Sequence, residues 1–124
     1  MRLAVAALLA AAAACCSAGE AKTADYRSPD GKIALRLDLR DARRVAYALT
    51  VEGANHAGTA DLVAGDPEII EDGELNYVPA RQFIDARDCW VNIKVAEGDK
   101  WVVLAEHACP FALPDDGLLL RRSD

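Results

Sequence analysis

The run CWVNIKVAEGDKWVVLAEHAC spans residues 89–109, two apolar stretches around Gly98-Asp99 with a cysteine at each outer end. Val91, Ile93 and Val95 alternate with other residues and Gly98-Asp99 is a turn signal, so the run reads as a β-hairpin. A one-residue slip in an antiparallel pair turns every side chain to the other face, and the cysteines therefore constrain the register. A two-residue turn at Gly98-Asp99 sets Cys89 against Ala108 and points the cysteines to opposite faces, beyond the short Cβ separation of a disulfide. A three-residue loop Gly98-Asp99-Lys100, or a five-residue loop centred on Asp99, sets Cys89 against Cys109, Val91 against His107, Ile93 against Ala105 and Val95 against Val103. The expectation is a Cys89–Cys109 disulfide on a core face of Cys89, Val91, Ile93, Val95, Val103, Ala105 and Cys109. Trp90, Asn92, Lys94, Val102, Leu104 and Glu106 take the other face. A loop of this length contributes roughly 3 kcal/mol in the chain-entropy account, a large share of what a small domain has.

Such a bridge needs an oxidising compartment, and the N-terminus supplies the address. Met1–Ala18 has Arg2 as a minimal positive region, the apolar run Leu3–Ala14, then small residues. The run suits the hydrophobic region of a signal peptide and is too short to span a bilayer. Two maturation routes are open. Cys16-Ser17-Ala18 before Gly19 presents the small residues that signal peptidase reads; Ala12-Ala13-Ala14-Cys15 is similar to a bacterial lipobox, in which Cys15 would be lipidated and become the new N-terminus, although Ala12 stands where that pattern prefers Leu. Gly19–Asp25 then reads as a polar tether and residues 26–124 as one β-rich domain.

Maturation sharpens the charge. The full chain has 20 acidic and 14 basic residues for a net −6, and loss of residues 1–18 removes Arg2 alone among them, leaving −7. Four cysteines become two, Cys89 and Cys109, an even pair. The acidic balance, with no lysine-arginine stripe to displace phosphate counterions, argues against nucleic acid and for a basic partner. Membrane contact is expected only through a lipid on Cys15.

The rest of the domain reads mainly as strands. Ile33, Leu35, Leu37 and Leu39 alternate with Ala34, Arg36, Asp38 and Arg40, and Val45, Tyr47, Leu49 and Val51 form a second alternating set. Their apolar faces meet if Leu39 opposes Val45, Leu37 opposes Tyr47 and Leu35 opposes Leu49. Ser28-Pro29-Asp30-Gly31-Lys32 precedes them as a turn, with proline presetting φ and Gly31 free to take φ above zero. The run Ser28–Ala34 resembles the turn and strand of TolB-type and WD-like propeller blades and the opening of the N-terminal β domain of some large glycosidases. A propeller repeats that unit at about 40-residue spacing, and no second copy exists, so the resemblance implies a turn and a strand and carries no function. Gly53–Gly58 reads as a flexible connection, Thr59–Ala64 as a short strand, Pro67–Ile70 as a short edge strand, and Leu118–Arg122 as a closing strand whose charged end discourages edge pairing. Tyr77–Asp88 is the best helix candidate, with Pro79 at its first turn and Ala80, Phe83, Ile84 and Arg87 at helical spacing.

Few residues suggest chemistry. Asp61, Asp66, Glu68, Glu71, Asp72 and Glu74 crowd one segment without the offsets of a calcium loop, and read as a solvated acidic face available to a partner. His107 and Cys109 lie two apart, but Cys109 has an evident partner in Cys89, which leaves no free thiolate for a dyad. His56, His107 and the cysteines lack zinc-ligand spacing. Trp90 and Trp101 fall on opposite faces in the favoured register, so a shared stacking platform is not expected. No metal or cofactor is called for.

These readings converge on a mainly β fold, a small antiparallel sandwich or partly open barrel with at most one short helix. Two functions follow: an exported, disulfide-containing domain that binds a basic protein without catalysis, inhibitor-like or an envelope accessory, or a small periplasmic hydrolase or metal-dependent enzyme using His107 and the carboxylates of the middle segment.

Overall fold

In a computed structural model, residues 22–64, 68–70, 77–114 and 117–123 are described, with the backbone alone at 68–70 and 77. Nine strands follow in chain order: β1 Thr23–Arg27, β2 Ile33–Asp38, β3 Arg44–Val51, β4 Ala54–Val63, β5 Glu68–Ile70, β6 Tyr77–Asp85, β7 Trp90–Ala96, β8 Trp101–His107 and β9 Leu118–Arg122. Each long strand pairs antiparallel with its sequence neighbours, β1 pairs β9, and β4 pairs β6 through Asp61↔Ile84, Leu62↔Phe83 and Val63↔Gln82. Eight strands thus close into an up-and-down barrel, and β5 continues along β6 beyond β4 through Glu68↔Pro79 and Ile70↔Tyr77. An eight-stranded barrel is just wide enough for side chains to fill. Tyr26, Leu35, Leu37, Leu49, Phe83, Ile93, Leu104 and Leu120 fill this one, each at most 1% exposed.

The closed ring replaces the expected sandwich or partly open barrel, and the reason lies in segments that were not expected to be strands. Gly53–Gly58 is no flexible connection: Glu52 and Gly53 alone make the turn, both at positive φ (50° and 88°), and His56 and Gly58 pair with Leu49 and Tyr47. Two central residues at positive φ match the twist of the flanking strands. Thr59–Ala64 is accordingly the second half of one long strand. Tyr77–Asp88 forms no helix: Tyr77–Asp85 is β6, because Phe83 and Asp85 turn inward together while β4 and β7 occupy both edges. Among the described residues there is no helix at all. Thr23–Asp25 is not tether but the start of β1, with Ala24 fully buried. Arg121 and Arg122 guard no edge, since β9 has β8 on one side and β1 on the other.

The β2–β3 hairpin pairs as expected, Leu35 with Leu49 and Leu37 with Tyr47, and Gly31 sits at φ 74° in the Ser28–Lys32 turn. Within that turn Ser28 Oγ donates to Asp30 Oδ1 (2.6 Å) and accepts from the Ile33 N–H (3.1 Å). The β7–β8 hairpin differs by one residue: Trp90 opposes His107, Ile93 opposes Leu104 and Val95 opposes Val102. Val102 and Leu104 therefore line the core, both fully buried, while Val103 and Ala105 face outward. The Cys89–Cys109 disulfide forms nonetheless, with Cα atoms 5.0 Å apart. Both cysteines lie just beyond the ladder, and Ala108 at φ 60° turns the chain so that Cys109 comes back to Cys89.

Candidate functional site

The up-and-down order puts the β2–β3 loop, the end of β4, the start of β6 and the β7–β8 turn at one end of the barrel, here the lower end. The turns after β1, β3, β6 and β8 emerge at the other, the capped end.

At the lower end, Asp61 is the one member of the expected acidic set whose side chain is described. It is exposed and accepts from Arg44 Nε at 2.7 Å. Glu68 lies in β5 opposite Pro79; Asp66, Glu71, Asp72 and Glu74 fall outside the described residues, as does Cys15. Nearby, a depression of about 360 Å³ is lined by Lys22, Ala80, Arg81, Val95, Glu97 and Asp99. Asp99, at φ 60°, is pinned twice: Tyr26 Oη donates to its carbonyl (2.7 Å) across the barrel interior, and Arg81 Nη2 donates to its carboxylate (2.8 Å).

Five of the described arginines pair with carboxylates. Arg36 pairs with Asp25, Arg40 with Asp38, Arg44 with Asp61, Arg81 with Asp99 and Arg87 with Asp85. Between Gly65 and Asn76, by contrast, Asp66, Glu68, Glu71, Asp72 and Glu74 have no lysine or arginine among them.

At the capped end lies a polar cluster that the reading of the sequence missed. Asp85, only 6% exposed, accepts from Tyr47 Oη at 2.6 Å and from the Arg87 backbone N–H, Nε and Nη2 at 3.0–3.2 Å. Burial pushes the Asp85 carboxyl up, but the hydrogen bonds from Arg87 and Tyr47 outweigh it and hold the group down at about 2. The Tyr47 hydroxyl is driven the other way, well above its ordinary value, by burial and then by the carboxylate that it donates to. Gly58 makes the room: a Cβ there would collide with Arg87 Nη2 and lie 2.5 Å from Asp85 Oδ2. His56 stands beside the cluster, 6.0 Å from the Tyr47 ring and 5.2 Å from Phe111 in an edge-on contact. A signal did exist, since Asp85 keeps the inward parity of Phe83 with an arginine two residues on, but the helical reading of Tyr77–Asp88 hid it.

The remaining candidates are scattered. His107 is exposed and opposes Trp90, itself 47% exposed, and Cys109 is in the disulfide, not in a dyad with His107. Trp90 and Trp101 share the outer face, contrary to expectation, because of the one-residue register difference. Six residues of β8 still separate Trp101 from Trp90's partner, about 20 Å of strand. Arg121 lies over the Trp101 ring at 4.0 Å. Among the described residues, no group of three or more His, Cys, Asp or Glu side chains converges as a metal site would. Comparison of the chain with protein-family models, with curated proteins and with solved structures finds no match.

A disulfide in a small β domain is consistent with an exported protein.

Proposed function

We propose that the protein is an exported barrel that binds a basic protein without catalysis, as an inhibitor-like or envelope accessory domain. It resides in the bacterial periplasm or envelope, soluble after cleavage at Ala18 or anchored by a lipid on Cys15. The observation that carries the reading is the division of charge. Five of the described arginines are matched by carboxylates within the barrel, whereas the sequence between Gly65 and Asn76 carries five acids and no base. A run of unmatched like charge attracts an opposite surface and accelerates encounter. The filled interior also supports a surface binder over a protein that encloses a small ligand.

The test immobilises the mature protein and passes cationic proteins over it at low and physiological ionic strength. Retention at low salt should weaken as salt screens it, and should fall again when Asp66, Glu68, Glu71, Asp72 and Glu74 are replaced by their amides. Failure to retain any cationic protein at low salt refutes the reading. Mass spectrometry of the mature N-terminus decides between Gly19 and lipidated Cys15.

A further inference from the structure

The disulfide joins no pair of the β7–β8 ladder. Its two cysteines lie outside the strands, and the ladder from Trp90↔His107 to Val95↔Val102 is complete without it. What Cys109 does begin is the segment Cys109–Pro114, which crosses the capped end of the barrel. Leu113 is 8% exposed and belongs to the core cluster; Phe111 packs against that cluster and against His56, whose ring lies 6.0 Å from that of Tyr47. The backbone holds this segment thinly. Cys109 N–H donates to Glu106 Oε2 (3.1 Å), Gly117 N–H donates to the Pro114 carbonyl (2.9 Å), and Pro110 and Pro114 have no N–H to give. Both cysteines are half-buried, at the rim of the barrel.

We propose that Cys109–Pro114 is a cap and that the disulfide is its latch, so that reduction by a dithiol opens the capped end while the barrel stays closed. One thiolate of the dithiol attacks the protein disulfide, forming a mixed disulfide and releasing one cysteine thiolate, which takes up a proton. The second thiol of the dithiol then resolves the mixed disulfide, leaving oxidised dithiol and two cysteine thiols on the barrel. With Cys109 released, the tie between Cys89 and the cap is lost. Phe111 and Leu113 then lift away, uncovering His56. The ring's own bonds, including β1–β9 and β4–β6, do not involve the cysteines.

Amide hydrogen exchange of the full mature chain, oxidised and after reduction with dithiothreitol, tests this. In the same two states, the nuclear Overhauser contacts of Phe111 with His56 and of Leu113 with the core should be lost on reduction while the amides of Leu35, Leu49 and Ile93 keep their exchange protection, the pattern of a local opening. A Cys89→Ser/Cys109→Ser variant should reproduce the reduced pattern without reductant. A rise in exchange spread equally over β2, β3 and β7 overturns the proposal by showing that the bridge stabilises the whole domain. Persistence of the Phe111–His56 contact after reduction overturns it by showing that packing alone seats the cap. Should the double variant fail to fold, the wild-type comparison decides alone.

Discussion

Replacing Asp85 with Asn should destabilise the barrel near neutral pH, and the loss should vanish in acid. The side chain is 6% exposed and its carboxylate accepts from Tyr47 and three times from Arg87. A carboxyl held at about 2 rather than 3.8 favours its charged form in the folded state by about 2 kcal/mol. The folded-state value is depressed, so this stability is fully present above the unfolded value and is lost as pH falls through the folded one. Asparagine keeps the shape, has no charge, and turns an N–H₂ toward donors. The variant should therefore be less stable by about 2–3 kcal/mol near neutral pH, and by under about 1 kcal/mol near pH 2, where wild-type Asp85 is half protonated. Urea unfolding followed by tryptophan fluorescence across this range measures the gap. Asp30 and Asp38 are also held low, by Ser28 and Arg40 respectively, but they titrate in both proteins and cancel. A gap that stays constant from neutral pH to pH 2 would refute the argument, because it would assign the cost to packing and not to charge.

Four further substitutions probe the architecture. Val102→Asp should cost more than about 4 kcal/mol or abolish folding, since it buries an unpaired charge in the barrel, whereas Val103→Asp on the outer face should cost about 1 kcal/mol; thermal denaturation of the pair reads the β7–β8 register directly. Gly58→Ala in an ordinary strand would gain about 0.5–1 kcal/mol, but here it should lose about 1–2 kcal/mol, because the methyl displaces Arg87 from Asp85; stabilisation in urea would count against the cluster. Glu52→Asn, which creates an Asn-Gly turn at two positive-φ positions, should raise stability by about 0.5–1 kcal/mol, and an unchanged midpoint would argue against the turn geometry.

Period-two alternation made β2, β3 and β7 legible, because their inner faces are large and apolar. It failed where the inner face is not. β4 turns His56, Gly58 and Ala60 inward, and no hydrophobicity pattern marks a strand whose inner positions are an imidazole, a bare backbone and a methyl. Gly58 is small because Arg87 and Asp85 need its space, so the residue that looked like a loop is the imprint of a contact from a strand far along the chain. β6 was obscured in the opposite way. Pro79 and the spacing of Ala80, Phe83, Ile84 and Arg87 fit a helix, and only neighbours on both edges make the segment extended. The disulfide was legible from count and address; the cluster at Asp85 was not, because its members come from β3, β6 and the turn that follows.

The one-residue discrepancy in the β7–β8 hairpin shows which force sets register in a closed barrel. Aligning the cysteines would turn Val103 and Ala105 inward and Val102 and Leu104 out. The observed register buries the larger pair, and exchanging Ala105 for Leu104 at a fully buried position is worth about 2 kcal/mol. The choice is not local to the hairpin, because β8 also pairs with β9 through Val102↔Leu120 and Leu104↔Leu118, and β7 with β6 through Phe83↔Ile93. Slipping β8 alone would break the inward parity on both sides. Against that stands one residue, Ala108, in the left-handed region, at a cost of about 1 kcal/mol. Packing around the ring therefore sets the register, and a single backbone kink lets the disulfide follow. The bridge is left to hold the segment that leaves the barrel.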